Sequence, residues 1–290
     1  MSATGVPDGV RPAVEPTPAG RRMSRAGRDL RAALAVAVLL GAAILTSLFI
    51  VHQAFIGIVA AAVAVSTWEL AGALRRGAGI RVAVVPLLVG GQAMVWLVWP
   101  FGRDGALGAF VATVLVCLVW RMRRGAAGYV RDVSASLFTA AYLPLCASFA
   151  ALLAVPADGA ARVLCFMLVV IASDVGGYAA GALRGRHPMA PSISPKKSWE
   201  GFAGSVTGGM LTGALTVTLL LGGLPWQGAL FGAAIAVTAT VGDLIESLIK
   251  RDLGVKDMGT LLPGHGGLMD RMDSLLPSAV VSWVLLSLFT

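Results

Sequence analysis

Apolar runs of about twenty residues recur from one end of this chain to the other, and no other feature limits its fold so sharply. They fall at about 32–51, 54–74, 82–99, 105–120, 134–155, 160–182, 199–222, 226–249 and 273–289. A helix crossing the ~30 Å hydrocarbon core needs about 20 such residues, whereas a membrane β-barrel shows roughly ten-residue segments of alternating polarity. The expected fold class is therefore all-α, a polytopic transmembrane helical bundle of about nine spans. With 57% hydrophobic and 13% charged residues, the chain has too little polar surface for a soluble domain. Its 36 glycines and 7% aromatics suit helices whose backbones touch, the usual mode of association in lipid. Pro86 interrupts the third run and the fourth is short, so merging or re-entry between 82 and 120 would lower the count to eight.

Three parts follow along the chain. Residues 1–31 hold Pro7, Pro12, Pro16, Pro18 and six arginines, cannot bury apolar area, and read as a disordered basic tail. That lead is too long and polar for a cleaved signal peptide. Residues 32–155 form the first set of membrane helices, and 156–290 form the second, which carries the chemistry. Lys and Arg in short loops stay cytoplasmic. Here 21 of the 23 lie in the tail or the even-numbered loops, with only Arg103 and Arg162 opposed. This places the N-terminus and the charged 250–271 stretch in the cytoplasm. Topology and attraction to anionic membrane lipids account for the net charge of +8, so no nucleic-acid partner is required. Ala- and Arg-rich usage suggests a bacterial source, hence the plasma membrane, and a homodimer stays open.

From Asp243 to Asp273 the chain packs six carboxylates and four cations beside membrane-grade sequence. Asp243, Glu246 and Lys250 are spaced i, i+3, i+7 and share one helical face. The run before them, GALFGAAIAVTATVG, sets Asp243 below the headgroups, where it must face the protein interior or a wet cavity. A solvated ion-pair stripe is the plainer alternative, and the depth of Asp243 weighs against it. Lys256, Asp257, Pro263, Gly264, His265, Gly266 and Gly267 then describe a tightly folded loop able to turn N–H groups toward an anion. Asp270 and Asp273, again i and i+3, are placed to face the same cavity as Asp243. Three hard carboxylates without histidine suit Mg²⁺, with a second cation left open. Capping of the last span explains one of these aspartates at a fraction of a kcal/mol, not all three.

Two further groups belong with them. Asp174, four residues before Tyr178, is a lone carboxylate within the sixth run and a functional candidate on that ground. Ser194, Lys196 and Lys197 precede a helix start and could clamp phosphate, although the lysines fit the positive-inside pattern equally well. Glu69 reads as structural, paired to a neighbouring cation or the bundle, and His52 and His187 as isolated interfacial residues. Cys117, Cys146 and Cys165 lack metal-binding spacing and read as buried packing thiols.

The stretch Ser247 to Asp273 resembles the diagnostic motif of the phosphatidate cytidylyltransferase (CDP-diacylglycerol synthase) family. Ser247, Lys250, Arg251, Lys256, Asp257, Pro263, His265, Gly266, Gly267, Asp270, Arg271 and Asp273 occupy its fixed positions. Ser194 to Gly201 is similar to the family's second block. The chain departs from the family around Asp174, with Val175 and Gly177 where the family has Thr and Ala, but keeps Asp174 and Tyr178. The resemblance implies the reaction of CTP with phosphatidate to give CDP-diacylglycerol and pyrophosphate in phospholipid biosynthesis. It implies catalytic roles for Asp243, Asp270, Lys250 and Arg271, and Mg²⁺ on Asp243, Asp270 and Asp273. Ser194, Lys196, Lys197, Arg251, Lys256, Asp257, His265, Gly266, Gly267, Asp174 and Tyr178 would hold the substrates. Two rivals fit less well. A transporter using Asp174, Glu69 and Asp243 would be expected to show inverted repeats, and a CDP-alcohol phosphotransferase would carry an Asp-Gly…Ala-Arg pattern; neither is found.

Overall fold

The computed structural model describes residues 41, 42, 44, 46–48, 52–259, 261 and 266–289. The basic tail, most of the run expected at 32–51, and His265 lie outside the described residues.

Helix α1 (His52–Ala78) is followed by α2 (Val84–Trp96) and α3 (Val98–Met122). Next comes α4 (Tyr129–Ala140), which continues through a π-turn (Ala141–Leu145) into α5 (Cys146–Leu153). Pro144 lies in that turn and has no N–H to give the α-helical ladder, which is where a wider turn is accommodated. Helix α6 (Gly159–Arg184) leads into an antiparallel hairpin of β1 (Pro188–Ala190) and β2 (Ser194–Ser198). Then come α7 (Trp199–Leu221), α8 (Pro225–Asp252), the short α9 (Met269–Met272) and α10 (Leu275–Phe289). Every apolar run expected from residue 54 onward coincides with helix. Among the described residues seven helices are long and apolar enough to cross a membrane, and α2 is shorter.

The region 82–120 is a hairpin, which removes the merging alternative. Past the end of α2, Leu97 N–H donates to Ala93 O and Phe101 N–H to Leu97 O, so the helical pattern persists to Phe101. Gly102 then adopts φ 58° and ψ −143°, outside helical geometry and open only to glycine. Gly90 abuts Thr113, and Gly105 abuts Leu97, so the two arms run antiparallel about that glycine.

Helices α6, α7 and α8 approach backbone to backbone. Gly209 and Gly213 on α7 meet Gly232 and Gly228 on α8, and Gly176 on α6 meets Gly204 on α7. Both partners of the α7–α8 crossing thus carry Gly-x-x-x-Gly. Gly232→Ala would drive a methyl into the Gly209 carbonyl. The expected loss is about 1–3 kcal/mol of stability, read as a lower thermal transition in detergent. Gly108→Ala, which meets nothing within 4 Å, is the control. Equal transitions in the two variants would show that the crossing can widen without cost.

The basic connections gather at one end of the bundle. Arg121, 5% exposed, donates from Nε to Asp132 Oδ2 (2.9 Å) and from its terminal nitrogens to Gly125 O (3.0 Å) and Ala127 O (2.7 Å). The other Asp132 oxygen accepts the Arg81 N–H at 3.2 Å. This joins the connections after α1 and α3, and its full hydrogen bonding offsets the burial of two charges. Arg76 reaches Met258 O (3.2 Å), and Arg251 reaches Ile193 O (3.3 Å). Arg103 and Arg162 fall at the opposite ends of their helices.

Candidate active site

Helix α8 supplies one wall of the site. Asp243, Glu246, Ser247 and Lys250 line a cavity of about 460 Å³. The same cavity receives Asp174 from α6, Lys197 from β2, Asp270 and Arg271 from α9, and Asp257, Asp273 and Ser274. Six carboxylates thus face three cations. Lys197 is aimed by the helix start beside it: Ser198 Oγ accepts the Gly201 N–H at 3.1 Å, capping α7. From there Lys197 Nζ reaches Asp243 Oδ2 at 2.6 Å. Lys250 Nζ lies 2.6 Å from Glu246 Oε2 and 3.1 Å from Asp270 Oδ1.

Asp270 also organises the loop. It accepts N–H bonds from Met258 (3.0 Å) and Gly267 (2.8 Å). Gly266 has φ +79°, and a Cβ there would press on the Asp257 and Asp270 carboxylates, so the turn needs glycine for conformation and for room.

Three other spaces adjoin the acidic cavity. A cleft of about 670 Å³ shares Ser247 and Lys250 with it and adds Ser194, Lys196, Arg251 and Lys256, making a basic annex. A pocket of about 330 Å³ between α6 and α7 shares Asp174, Lys197 and Asp243, and includes Tyr178 and Phe202. An apolar groove of about 350 Å³, lined from α1, α5, α6, α9 and α10, includes Arg271 as its one charged lining residue.

The sequence-derived candidates therefore converge. Asp174, Lys197, Asp243, Lys250, Asp257, Asp270, Arg271 and Asp273 share one cavity, Ser194, Lys196, Arg251 and Lys256 the annex, and Tyr178 the α6–α7 pocket. Gly266 and Gly267 lie against Asp270. His265 lies outside the described residues.

Among the described residues no group of three His, Cys, Asp or Glu is drawn to metal-ligand spacing: Asp243 is turned to Lys197, and Asp270 accepts from two N–H groups and Lys250. Glu69 pairs with no cation among the described residues and is tied into the bundle instead, its Oε2 accepting the Met269 N–H at 2.9 Å. One expectation changes: His187 is not isolated, since its Nδ1 lies 2.6 Å from Glu200 Oε1, closing the base of the hairpin.

Glu246 is the cavity carboxylate left out of the candidate set. It is 1% exposed, and its Oε1 is buried without a hydrogen-bond partner among the described residues. Its place on the Asp243–Lys250 stripe was the available signal. The Asp273 carboxyl adjoins those of Asp243 and Glu246, and Glu246 adjoins Asp270. An unpartnered buried carboxylate oxygen among oxygen-only donors fits a hard divalent cation.

A model of the Cytidylyltransferase family matches residues 31–289 of the chain. A phosphatidate cytidylyltransferase of Mycobacterium bovis is 52% identical over 278 residues, covering 91% of this chain and 90% of its own. One from Mycobacterium leprae is 49% identical over 303 residues, covering 99% and 95%. One from Helicobacter pylori is 42% identical over 123 residues, covering 42% and 46%.

Proposed function

The chain belongs to the cytidylyltransferase family, and from that premise we propose that it joins CTP to phosphatidate, releasing pyrophosphate and forming CDP-diacylglycerol for phospholipid synthesis. The observation that carries this reading is the acidic cavity sharing Lys250 and Ser247 with a basic annex and Arg271 with an apolar groove. One site thereby offers a place for a triphosphate, for a second phosphate and for a hydrocarbon tail.

The lipid phosphate is largely ionised at neutral pH and attacks the α-phosphorus of CTP without a general base. Two polyanions must meet, so the residues act chiefly by neutralising and positioning. Lys196, Arg251 and Lys256 hold the CTP phosphates from the annex. Lys250, facing both spaces, draws charge toward the departing pyrophosphate. Arg271 receives the lipid phosphate at the mouth of the groove, with Lys197 on the other side of the cavity. The groove wall from Phe55 to Val65 spans about 15 Å at ~1.5 Å per residue, the depth of one leaflet, and takes an acyl chain. A divalent cation, Mg²⁺ by the oxygen-only donor set, would be held by Asp243, Glu246, Asp270 and Asp273 and supply positive charge to the phosphoryl oxygens. Anionic substrates made in the inner leaflet suit a basic end facing the cytoplasm of a bacterial plasma membrane.

The test is transfer of label from CTP into chloroform-soluble lipid by purified protein. Label should appear only when phosphatidate is present; no labelled lipid from CTP, with added CDP-diacylglycerol instead consumed and CMP released when an alcohol is supplied, would indicate the alcohol-transferase chemistry. Lys197→Ala should raise the substrate KM about tenfold and change kcat less. Unaltered substrate dependence would return Lys197 to a purely topological role.

A further inference from the structure

We propose that Glu69 is a positioning residue for this reaction, holding the two stems of the 253–268 loop so that Asp270 and Arg271 are presented to the cavity. The proposal rests on the functional reading above. Glu69 is 8% exposed and does not line the cavity, so it can act only through what it touches. Oε2 accepts the Met269 N–H, one residue before Asp270. Oε1 is buried without a hydrogen-bond partner among the described residues and presses on Gly259.

The contacts explain why both stems carry glycine at this point. A Cβ at Gly259 would collide with Glu69 Oε1, and one at Gly267 would collide with Oε2 and with the Gly259 backbone. The outgoing and returning stems therefore pass one another against a single carboxylate. Asp270 grips the same two stems, through the N–H groups of Met258 and Gly267. Arg76, seven residues along α1 and on the same face, adds a bond to Met258 O at 3.2 Å. Helix α1 thus sets the loop from behind, across about 200 residues of sequence. A carboxylate buried at membrane depth carries a desolvation penalty that an apolar side chain would avoid. Packing alone does not account for one here, while a charge-assisted bond to Met269 N–H does.

The test compares Glu69→Ala and Glu69→Gln in detergent, reading kcat, both KM values, the thermal transition, and amide exchange across 258–272. Glu69→Ala should lower kcat about a hundredfold with both KM values within about threefold, and should speed exchange at Gly267 and Met269. Glu69→Gln keeps an oxygen for the Met269 N–H and should recover most of kcat and the slow exchange. The proposal is overturned if Glu69→Ala keeps kcat within about threefold, or if the two variants lose kcat and thermal stability equally. Wild-type protein that makes no CDP-diacylglycerol overturns the functional reading, and the exchange comparison still decides whether Glu69 holds the loop.

Discussion

Asp270→Asn is expected to leave the protein folded and to take cytidylyl transfer down by about three orders of magnitude, near the upper range for losing one preorganised electrostatic contact. The substitution keeps the shape of the side chain and removes what the site uses. Asp270 now accepts from Met258 N–H, Gly267 N–H and Lys250 Nζ together. An amide can accept at one oxygen only, so its NH₂ group would face either another N–H or an ammonium. The loop then shifts, Lys250 loses one of its two anions, and the cation-binding set loses a charge. Label transfer from CTP into lipid measures the loss, and a thermal transition close to wild type excludes unfolding. Near-normal turnover would remove Asp270 from the catalytic residues.

Lys250→Met should be the most destabilising single change in the site. Glu246 is 1% exposed and Lys250 Nζ is its one ion-pair partner among the described residues. Removing one partner of a buried pair leaves the other charge uncompensated, at a cost of about 3–5 kcal/mol. Lys250 is itself partly open to the cavity, its side chain 20% exposed, which places the expected loss toward the lower figure. The double variant Glu246→Gln/Lys250→Met should regain most of that stability and none of the activity, because Lys250 also serves the phosphates and Glu246 the cation. Thermal unfolding in detergent, taken round the full double-mutant cycle, gives the coupling. A single variant as stable as wild type would show that Glu246 does not depend on the lysine.

The sequence alone revealed the helices and the membership of the site, but little of how the site residues are tied. Continuous apolar runs marked each span because the bilayer imposes a length that hydropathy records directly. The hairpin at 82–120 was ambiguous for a local reason. Its reversal depends on one glycine conformation at Gly102, and hydropathy does not register φ. Asp243, Asp270 and Asp273 were found through charge at depth and through spacing. Their commitments were not legible, since Lys197 lies 46 residues from Asp243 and the N–H of Met258 lies 12 from Asp270. Glu69 is the extreme case, because its partner is a backbone group 200 residues away, which leaves no mark on either local pattern.

The two ends of the bundle differ in how much chain they present. Turns at Gly102, between Leu153 and Gly159, and between Leu221 and Pro225 are brief, whereas the connections 185–198 and 253–268 are longer, and residues 193–196 of the first meet residues 254–256 of the second in the basic annex. Among the described residues, a membrane-impermeant reagent or protease would therefore find little to cut or label from the short-turn side. Inhibitors face the same asymmetry: a compound that blocks this protein has to arrive from the side where the nucleotide enters, or travel within the lipid itself.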